Sequence, residues 1–483
     1  MLLLLPTWQP VIFGPVFQLI KRNPMWFGAG LAVAVLLRFY FIWHLPSVNG
    51  DSIAYSNIAR TILEHHVYGM TDLGVVRHTV IRMPGYPLML ASIFALFGID
   101  NFRAVMWVNL LLDVGTCLIV ADVARRMFGD RAARWTFILA ATCPFIANYV
   151  ASPLTEVPET FFTALAMHQA VIAFQERSLW RWAASGAAVA YAILLRPDGG
   201  IILAAFLPVL LWQIIRTPQR WREMIAAGTI VCAVALAPLV PWTIRNYRVF
   251  HIFQPLVNRA ALDPGEFESA NFGYWTSTWL VDYASVEAIG FKVDGEPINI
   301  DDVPSHAFDS PQEREYVAQL FADYNKRLYV GRDLDKKFAE LAEQRQKRHP
   351  YLVKYGIPAL RTLDMLVRPR TEKLSYDPAW WDLRNGREDF IVSLLLAAWD
   401  VGLILAAVIG TFTLRRTPYL GVLWVYPLIR VLFLSTIGST EPRYTLECFP
   451  YFFVMAGAWL ALRFGARFSS ASAETRPAFT GVK

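Results

Sequence analysis

The sequence predicts an all-α polytopic membrane protein, and three observations lead to that fold class. The 483 residues are 55% hydrophobic and only 17% charged, whereas a soluble domain carries about 25% charged residues. About ten apolar runs approach the roughly 20 residues that a membrane-spanning helix requires. Basic residues concentrate in every second segment between those runs, as expected when alternate loops face the cytoplasm.

Roughly ten transmembrane helices are predicted, one for each apolar run. In chain order they are Trp26–Leu45, Ala104–Ala124, Ala132–Val150, Glu159–Phe174, Trp182–Leu195, Ile201–Ile215, Met224–Trp242, Phe390–Leu414, Leu420–Thr436 and Leu446–Leu462. Residues 1–25 show no basic region followed by a small-residue cleavage site, so we expect an interfacial segment there and not a signal peptide. The small, polar residues 468–483 predict a disordered cytoplasmic tail.

The basic segments also predict the orientation of the chain in the membrane. They are residues 21–22, 125–134, 175–182, 216–223, 414–418 and 463–467. Because cytoplasmic loops carry the excess of Lys and Arg, we expect these segments and both termini in the cytoplasm of a multi-pass inner-membrane protein. The external face then holds the first loop, 46–103, and the longest polar segment, 243–389.

This orientation divides the chain into a membrane module at 26–242, an external (periplasmic) domain at 243–389 and C-terminal membrane helices at 390–467. The external domain is expected to be mostly helical. Its residues 312–348 predict one solvated helix with an apolar side, and 351–367 predict a second helix that lies on the membrane surface.

The first external loop contains two informative stretches. In the sequence GDSIAY and beyond, Ile53, Ile58, Ile62 and Leu63 recur at helical spacing, which predicts an amphipathic juxtamembrane helix. The sequence RMPGYP at 82–87 predicts a rigid turn, because proline fixes φ and glycine permits positive φ.

Several carboxylates lie at or within the predicted membrane boundary. Asp51 begins a predicted helix, where it can be an N-cap or face a reactive site. Glu156 and Glu159 begin the fourth span, where acids stabilise a helix N-terminus but ionisable groups are also often functional. Asp113 falls inside the second span, so we expect a structural ion pair with Arg38.

Arginines and tyrosines mark the ends of several spans on the predicted external face. The arginines are Arg82, Arg196, Arg245 and Arg443. A single arginine at a helix end often only extends toward the interface, but several on one face suit bidentate binding of a phosphate. Glu159 and the tyrosines of the same segments are candidate substrate contacts; these tyrosines are Tyr55, Tyr86, Tyr247 and Tyr444.

The histidines and cysteines give weaker signals. His65, His66 and His78 could bind a divalent metal together with Asp51 or Glu64, or they could serve as polar contacts, so the sequence leaves a metal cofactor open. The cysteines lie in apolar runs without disulfide or zinc spacing and are expected to be core thiols: Cys117, Cys143, Cys232 and Cys448. The net charge of +6 is accounted for by the cytoplasmic loops, so we expect no nucleic acid partner.

The stretches GDSIAY, RMPGYP and LMLASIFALFG resemble the first external loop of GT-C-fold membrane glycosyltransferases. The resemblance is to the branch that includes protein O-mannosyltransferases and the aminoarabinose transferases of lipid A. PWTIRNY at 241–247, the helix that begins at His349-Pro350 and EPRYTLECFPYFFVMAG at 441–457 also resemble parts of these enzymes. The resemblance implies a GT-C fold, a polyprenyl-phosphate sugar donor, Asp51 as catalytic base and Glu156 as a sugar or acceptor contact.

These observations favour an inverting glycosyltransferase in the membrane, with arginines that hold the donor phosphate. The acceptor is expected on the external face and is a glycan or glycolipid of the envelope, lipid A or a protein. The sequence leaves open whether a hexose or a pentose is transferred. A transporter or flippase of a lipid-linked sugar is the alternative, although the sequence lacks the inverted repeats usual in transporters. A non-catalytic scaffold would not require these arginines.

Overall fold

The computed structural model describes residues 20–465, except 22, 49, 259, 375 and 383–385. Most of the predicted interfacial segment at 1–25 and the whole predicted tail at 468–483 lie outside the described residues. The regular secondary structure of the described chain is helical, as the sequence predicts, except for one short β-hairpin.

The first half of the described chain holds eleven of the helices. They are α1 (Pro24–His44), α2 (Gly50–His65), α3 (Gly85–Phe97), α4 (Phe102–Phe128), α5 (Asp130–Thr142), α6 (Pro144–Tyr149), α7 (Glu156–Glu176), α8 (Leu179–Leu195), α9 (Ile201–Arg216), α10 (Trp221–Leu236) and α11 (Leu239–Phe250). The hairpin follows α2 and pairs β1 (Gly69–Asp72) with β2 (Val75–His78) in antiparallel register. Short 3₁₀ turns at Pro197–Gly200 and Pro218–Arg220 precede α9 and α10.

The second half begins with a helical segment outside the main apolar core and returns to apolar helices. Its helices are α12 (Ala270–Ser277), α13 (Pro311–Asn325), α14 (Arg332–Arg348), α15 (Ile357–Val367), α16 (Arg387–Thr413), α17 (Gly421–Leu434) and α18 (Phe449–Gly465). Shorter helical turns lie at Tyr283–Ser285, Val286–Gly290, Ile300–Asp302, Ser305–Ala307, Leu352–Gly356 and Pro442–Cys448.

Helices occupy all ten positions at which the sequence predicts a membrane span. Six helical segments in the described part of the chain are long and apolar enough to cross a membrane: Pro24–His44, Phe102–Phe128, Pro197–Arg216, Pro218–Phe250, Arg387–Thr413 and Pro442–Phe464. The others are shorter, interrupted or contain more polar residues. The predicted third span, for example, is divided into α5 and α6 at Pro144, because proline lacks the N–H that an uninterrupted helix requires.

Apolar side chains cover both the inside and the outside of this helical assembly. A large core, with Val120, Phe137 and Met167 among its buried members, joins α4, α5 and α7 to α18. Large apolar residues also remain exposed, including Leu36 at 65% and Phe412 at 70% exposure. Extended apolar surface of this kind indicates contact with lipid.

Only the first residues of RMPGYP form the predicted turn, because α3 begins at Gly85, and the glycine has a different role from the one predicted. Gly85 does not adopt positive φ. Instead, a Cβ atom at Gly85 would lie 2.6 Å from the carbonyl oxygen of Leu194. The absence of a side chain therefore lets α3 approach α8 closely.

The first loop contains the predicted amphipathic helix, α2, and the unpredicted hairpin. Ile58 is fully buried in α2, whereas Ile53 is 59% exposed. The Asn57 side chain donates to Thr71 O at 2.9 Å and accepts from Thr71 N at 2.8 Å. This pair of hydrogen bonds attaches β1 to α2, and the four-residue strands were too short to be recognised from their sequence.

Two interior predictions have different outcomes. Arg38 Nε donates to Asp113 Oδ2 at 2.7 Å, and both side chains are buried, so the predicted ion pair is confirmed.

Cys117, Cys143 and Cys448 are buried free thiols, but Cys232 is exposed. Cys232 was wrongly predicted as a core residue because α10 turns this position away from the helices that it packs against.

The segment 243–389 is mostly helical and has a second apolar cluster, which includes Trp275, Trp279 and Phe338. The predicted single helix at 312–348 is two helices, α13 and α14. Leu328 has a φ of +60°, a left-handed conformation that an uninterrupted right-handed helix does not contain. The chain therefore turns between the two helices.

Candidate active site

A cavity of about 860 Å³ lies where the first loop meets the starts of α7 and α9 and the turn before α18. Seven of the residues predicted from the sequence line it: Asp51, Tyr55, Arg82, Glu156, Arg196, Arg443 and Tyr444. Apolar residues from α8, α9 and the end of α17 complete the walls. The structure thus gathers most of the predicted site from five separate parts of the chain.

Asp51 lies in the first turn of α2 with its carboxylate between two arginines. Its Oδ1 accepts from Arg82 Nη2 at 2.7 Å, and its Oδ2 accepts from Arg443 Nη1 at 3.3 Å. Burial raises the pKa of Asp51, but the charges of Arg443 and Arg82 outweigh burial, and the pKa lies below its ordinary value. The carboxylate is therefore ionised at neutral pH and directed toward the cavity.

Arg443 connects the two carboxylates that the sequence singled out. Its Nη1 group is 3.3 Å from both Asp51 Oδ2 and Glu156 Oε1. Its Nε lies 2.6 Å from Glu441 Oε2. Because Arg443 belongs to the turn at Pro442–Cys448, that turn sets the distance between the first loop and α7.

A buried arginine holds this turn in place. Arg370 Nη1 donates to Pro442 O at 2.8 Å, and Arg370 Nε donates to Asp400 Oδ2 at 3.2 Å. Arg370 Nη2 also donates to the hydroxyl of Thr445. These contacts fix the backbone on both sides of Arg443.

Glu156 begins α7 and is 2% exposed. Its Oε1 is close to Arg443, and it lies 3.8 Å from Arg196 Nη1. Its Oε2 has no hydrogen-bond partner among the described residues. A buried carboxylate oxygen without a partner at a cavity wall is available to a hydroxyl group of a ligand.

Arg196 directly follows α8 and forms the opposite wall. Its Nε is 3.2 Å from both Asp198 Oδ1 and Glu159 Oε2, and its guanidinium lies 5.1 Å from the centre of the Tyr444 ring. Glu159 thus contacts a residue of the cavity wall without lining the cavity itself.

The two candidate tyrosines of the first loop have different positions. Tyr55 lines the cavity, and the guanidinium of Arg82 lies 5.5 Å from the centre of its ring. Tyr86 is fully buried behind it, with ring centres 4.8 Å apart. Burial raises the pKa of Tyr55 to about 12, so its hydroxyl stays protonated. Tyr86 therefore supports the site, while Tyr55 can contact a ligand.

Arg245 and Tyr247 do not line the cavity. Arg245 Nη1 donates to Thr79 O at 2.8 Å, and Arg245 Nη2 donates to Tyr68 O. The Tyr68 hydroxyl in turn donates to Arg82 O at 2.9 Å. Arg245 therefore supports the backbone near Arg82 where the sequence predicted a direct phosphate ligand, and Tyr247 is 59% exposed.

The candidate metal-binding histidines do not come together. His65, His66 and His78 are all exposed, and His78 Nδ1 is 3.5 Å from Arg245 Nη2. Within the described ranges, no group of three or more His, Cys, Asp or Glu residues is arranged to hold a metal ion. These residues thus do not fit the divalent metal that the sequence left possible.

Three charged residues near the site were not predicted from the sequence. Arg430 Nη1 is 2.9 Å from Asp198 Oδ2, and Arg430 Nη2 is 2.8 Å from Glu447 Oε2. Both Arg430 and Glu447 fall inside predicted spans, where charges usually mark function or a buried partner, so this signal was available. Lys373 interacts electrostatically with Glu156, Arg443 and Asp51, and its local sequence gives no such signal.

Residues 78–244 match the family described as dolichyl-phosphate-mannose-protein mannosyltransferase. The matched stretch is about a third of the chain. It contains Arg82, Glu156 and Arg196, but not Asp51 or Arg443. No curated protein gives a significant match.

The fold is similar to that of solved membrane proteins. AglB, an oligosaccharyltransferase from Archaeoglobus fulgidus in complex with an inhibitory peptide and a dolichol-phosphate, is 13% identical over 95% of this chain and 53% of its own, with a TM-score of 0.52. The apo form of the A. fulgidus enzyme is 14% identical over 93% and 52%, with a TM-score of 0.51. ArnT from Cupriavidus metallidurans, bound to undecaprenyl phosphate, is 14% identical over 92% and 78%, with a TM-score of 0.40.

The chain spans about half the length of the oligosaccharyltransferase. Its fold is that of the GT-C membrane glycosyltransferases, as the sequence predicts.

Proposed function

We propose that the protein is an inverting glycosyltransferase that moves a sugar from a polyprenyl-phosphate donor to an external acceptor. The observation that carries the proposal is the contact of Asp51 with Arg82 and Arg443 at the cavity wall. A carboxylate beside two guanidiniums supplies both a proton acceptor and phosphate ligands. The family match across 78–244 and the GT-C fold support the same reaction class.

The donor would occupy the cavity with its phosphate against Arg82, Arg196 and Arg443. Arginine suits this task because its planar group can donate two parallel hydrogen bonds to phosphate oxygens. Apolar wall residues from the membrane-spanning helices can take the lipid tail: Leu195, Ile201, Ala204, Phe433 and Ile437. The oligosaccharyltransferase with a similar fold was solved with a dolichol-phosphate, a lipid of the proposed kind.

Asp51 would act as the general base. The acceptor hydroxyl gives its proton to the Asp51 carboxylate while its oxygen attacks the anomeric carbon from the face opposite the phosphate. The bond from the anomeric carbon to the phosphate oxygen breaks, and that oxygen keeps the electron pair. Attack from the opposite face inverts the configuration of the anomeric carbon.

The arginines would stabilise the leaving group. The donor phosphate carries one negative charge as a diester, and the released polyprenyl phosphate carries a second. Guanidiniums already in place at this position stabilise that developing charge without rearrangement. Glu156, with its unpartnered Oε2, would orient a hydroxyl group of the sugar or acceptor.

The acceptor is a glycan or glycolipid of the envelope, lipid A or a protein on the external face of the inner membrane. This part of the proposal rests on the distribution of basic residues between the spans. On that basis the segment 243–389 and the mouth of the cavity would lie outside the cytoplasm. Tyr55 and Tyr444, which line the cavity, would contact the bound sugar, and Glu159 would act on it only through its ion pair with Arg196.

The test is transfer by the purified, lipid-reconstituted protein, given short-chain polyprenyl-phosphate sugars and an envelope lipid fraction or peptide acceptors. The expected product has the anomeric configuration opposite to that of the donor, as measured by NMR. Movement of the donor across the bilayer without any transfer would support the flippase alternative. Transfer with retained configuration would contradict the proposed single displacement.

A further inference from the structure

Lys373 lies in the segment between α15 and α16. Its side chain brings a cation close to the ionic group at the cavity wall, which contains Asp51, Glu156, Arg82 and Arg443. Its Nζ is 3.5 Å from Ser47 Oγ and 5.6 Å from the centre of the Tyr149 ring. Ser47 is four residues before Asp51, and Tyr149 ends the helix that precedes the loop to Glu156. Lys373, Ser47 and Tyr149 do not line the cavity, so the ammonium group approaches the wall from outside it.

The surroundings of Lys373 are strongly charged. Its ammonium group interacts electrostatically with the carboxylates of Glu156, Glu372 and Asp51 and with the guanidinium of Arg443. Glu372 also accepts a hydrogen bond from the Tyr149 hydroxyl at 3.3 Å. Burial is the main cause that lowers the pKa of Lys373, and Arg443 adds to it, while the carboxylates oppose both.

The ionic group at the wall is not balanced without Lys373. Asp51, Glu156 and Glu441 form ion pairs there with the guanidiniums of Arg82 and Arg443. A third guanidinium, that of Arg196, lies 3.8 Å from Glu156, but its Nε is also 3.2 Å from both Asp198 and Glu159. Five carboxylates therefore face three guanidiniums. A donor phosphate would add a negative charge and would compete for both arginines. A partly buried carboxylate that loses its cationic partner takes up a proton more readily.

We propose that Lys373 is a positioning residue that keeps the base, Asp51, ionised while the donor phosphate occupies Arg82 and Arg443. The inference rests on the proposed function. Because Lys373 lies outside the cavity wall, a phosphate in the cavity does not draw its ammonium group away from the carboxylates. When the arginines contact the donor phosphate, the lysine therefore still supplies positive charge near Asp51, and the base stays ionised.

The experiment compares the pH dependence of kcat in the parent and in Lys373→Met, which has similar length and no charge. We measure kcat because its pH dependence reports groups in the enzyme–substrate complex. Loss of the cation should move the acid limb of the profile upward by about half to one pH unit. On that limb the activity should fall about three- to ten-fold, with much less loss at pH 8.

Two further variants control the comparison. Lys373→Arg retains the charge and should restore the parental profile. Lys347→Met removes a lysine that is 79% exposed on α14 and should leave the profile unchanged. If Lys373→Met does not fold, Lys373→Gln, which keeps a polar group near Ser47, takes its place.

An unchanged acid limb in a folded Lys373→Met or Lys373→Gln variant would overturn the inference. So would an equal loss of kcat at every pH together with a lower Tm, which indicates only a structural role. Failure of the proposed function gives a different result, since the parental protein itself would then transfer no sugar.

Discussion

Arg443 Nη1 lies 3.3 Å from Asp51 Oδ2, although 392 residues separate the two in the sequence. The contact joins the first loop to the turn that precedes the last helix. In the proposed reaction it also joins the base to a ligand of the leaving phosphate. Before the donor binds, the ion pair can therefore hold the site together. When the donor binds, Arg443 can contact the phosphate while Asp51 accepts the proton of the acceptor.

Asp51→Asn should remove most of the activity without unfolding the protein. The amide cannot accept the proton of the acceptor, and loss of a general base lowers turnover by about 10²–10⁴-fold. Asn caps a helix about as well as Asp, so Tm should change little. Donor affinity should not weaken, because the substitution removes a negative charge that competes with the phosphate. The measurements are turnover, Tm and donor binding by the purified variant.

Glu64→Gln provides the matched control for Asp51→Asn, since Glu64 is an exposed carboxylate of the same helix. This variant should retain parental turnover. Near-parental turnover in Asp51→Asn at unchanged Tm would remove Asp51 from the mechanism, and Glu156 would become the next candidate base.

Arg443→Gln should mainly weaken donor binding, whereas Arg245→Gln should mainly lower the stability of the protein. Loss of a charge-assisted phosphate contact costs on the order of 1.5–3 kcal/mol, so Arg443→Gln should weaken donor binding by roughly ten- to a hundred-fold. Arg245 instead supports the backbone carbonyls of Thr79 and Tyr68, so Arg245→Gln should lower Tm. Donor titration and thermal unfolding of both variants distinguish the two roles.

The reverse result would change both assignments. Unaltered donor affinity in Arg443→Gln would mean that this arginine only neutralises Asp51 and Glu156. A large loss of affinity in Arg245→Gln at unchanged Tm would return Arg245 to the phosphate-binding group that the sequence predicted.

The pH dependence of kcat/KM should reflect the two arginines beside Asp51. Burial opposes ionisation, but Arg443 and Arg82 more than compensate, so the pKa of Asp51 in the free protein is below its ordinary value. An acid with a lowered pKa stays ionised as pH falls, until that lower pKa is reached. The parent should therefore keep its kcat/KM down to about pH 4, near the ordinary pKa of an aspartate.

Arg443→Gln supplies the check on this interpretation. Arg443 is the positive neighbour whose charge lowers the pKa of Asp51 most. Its removal should therefore move the acid limb of the kcat/KM profile to higher pH, in addition to weakening donor binding. A parental acid limb near pH 6, or a limb that does not move in Arg443→Gln, would show that another group controls the profile.

The helices and most of the site were accessible to sequence reasoning because each depends on a local pattern. Apolar runs of sufficient length predicted ten spans, and each coincides with helix in the structure. Arginines near the ends of those runs and in the first loop predicted Arg82, Arg196 and Arg443 as site residues. The hairpin was missed because its four-residue strands are held by Asn57 and not by their own pattern. Lys373 was missed because its position depends on contacts with Ser47 and Tyr149 that are remote in sequence.

Arg245 shows the limit of a pattern shared by several residues. In the sequence it follows the end of a predicted span, much as Arg196 does, but in the structure it lies inside α11. Its guanidinium, however, is directed to backbone carbonyls and lies 5.3 Å from the centre of the Trp242 ring. The end of an apolar run indicates where an arginine lies along the chain, but tertiary packing decides which partner its side chain contacts.

The orientation of the chain can be tested by cysteine labelling from the external side. Cys232 is exposed and the other three cysteines are buried, so the test uses a Cys232→Ser background. Ser305 is exposed in the segment between α12 and α13, and Trp180 is 73% exposed near the start of α8. If alternate basic segments are cytoplasmic, Ser305→Cys should react with a membrane-impermeant thiol reagent in intact cells. Trp180→Cys should react only after the membrane is opened. Reversed labelling would place the cavity mouth and Asp51 on the cytoplasmic side and contradict transfer to an external acceptor.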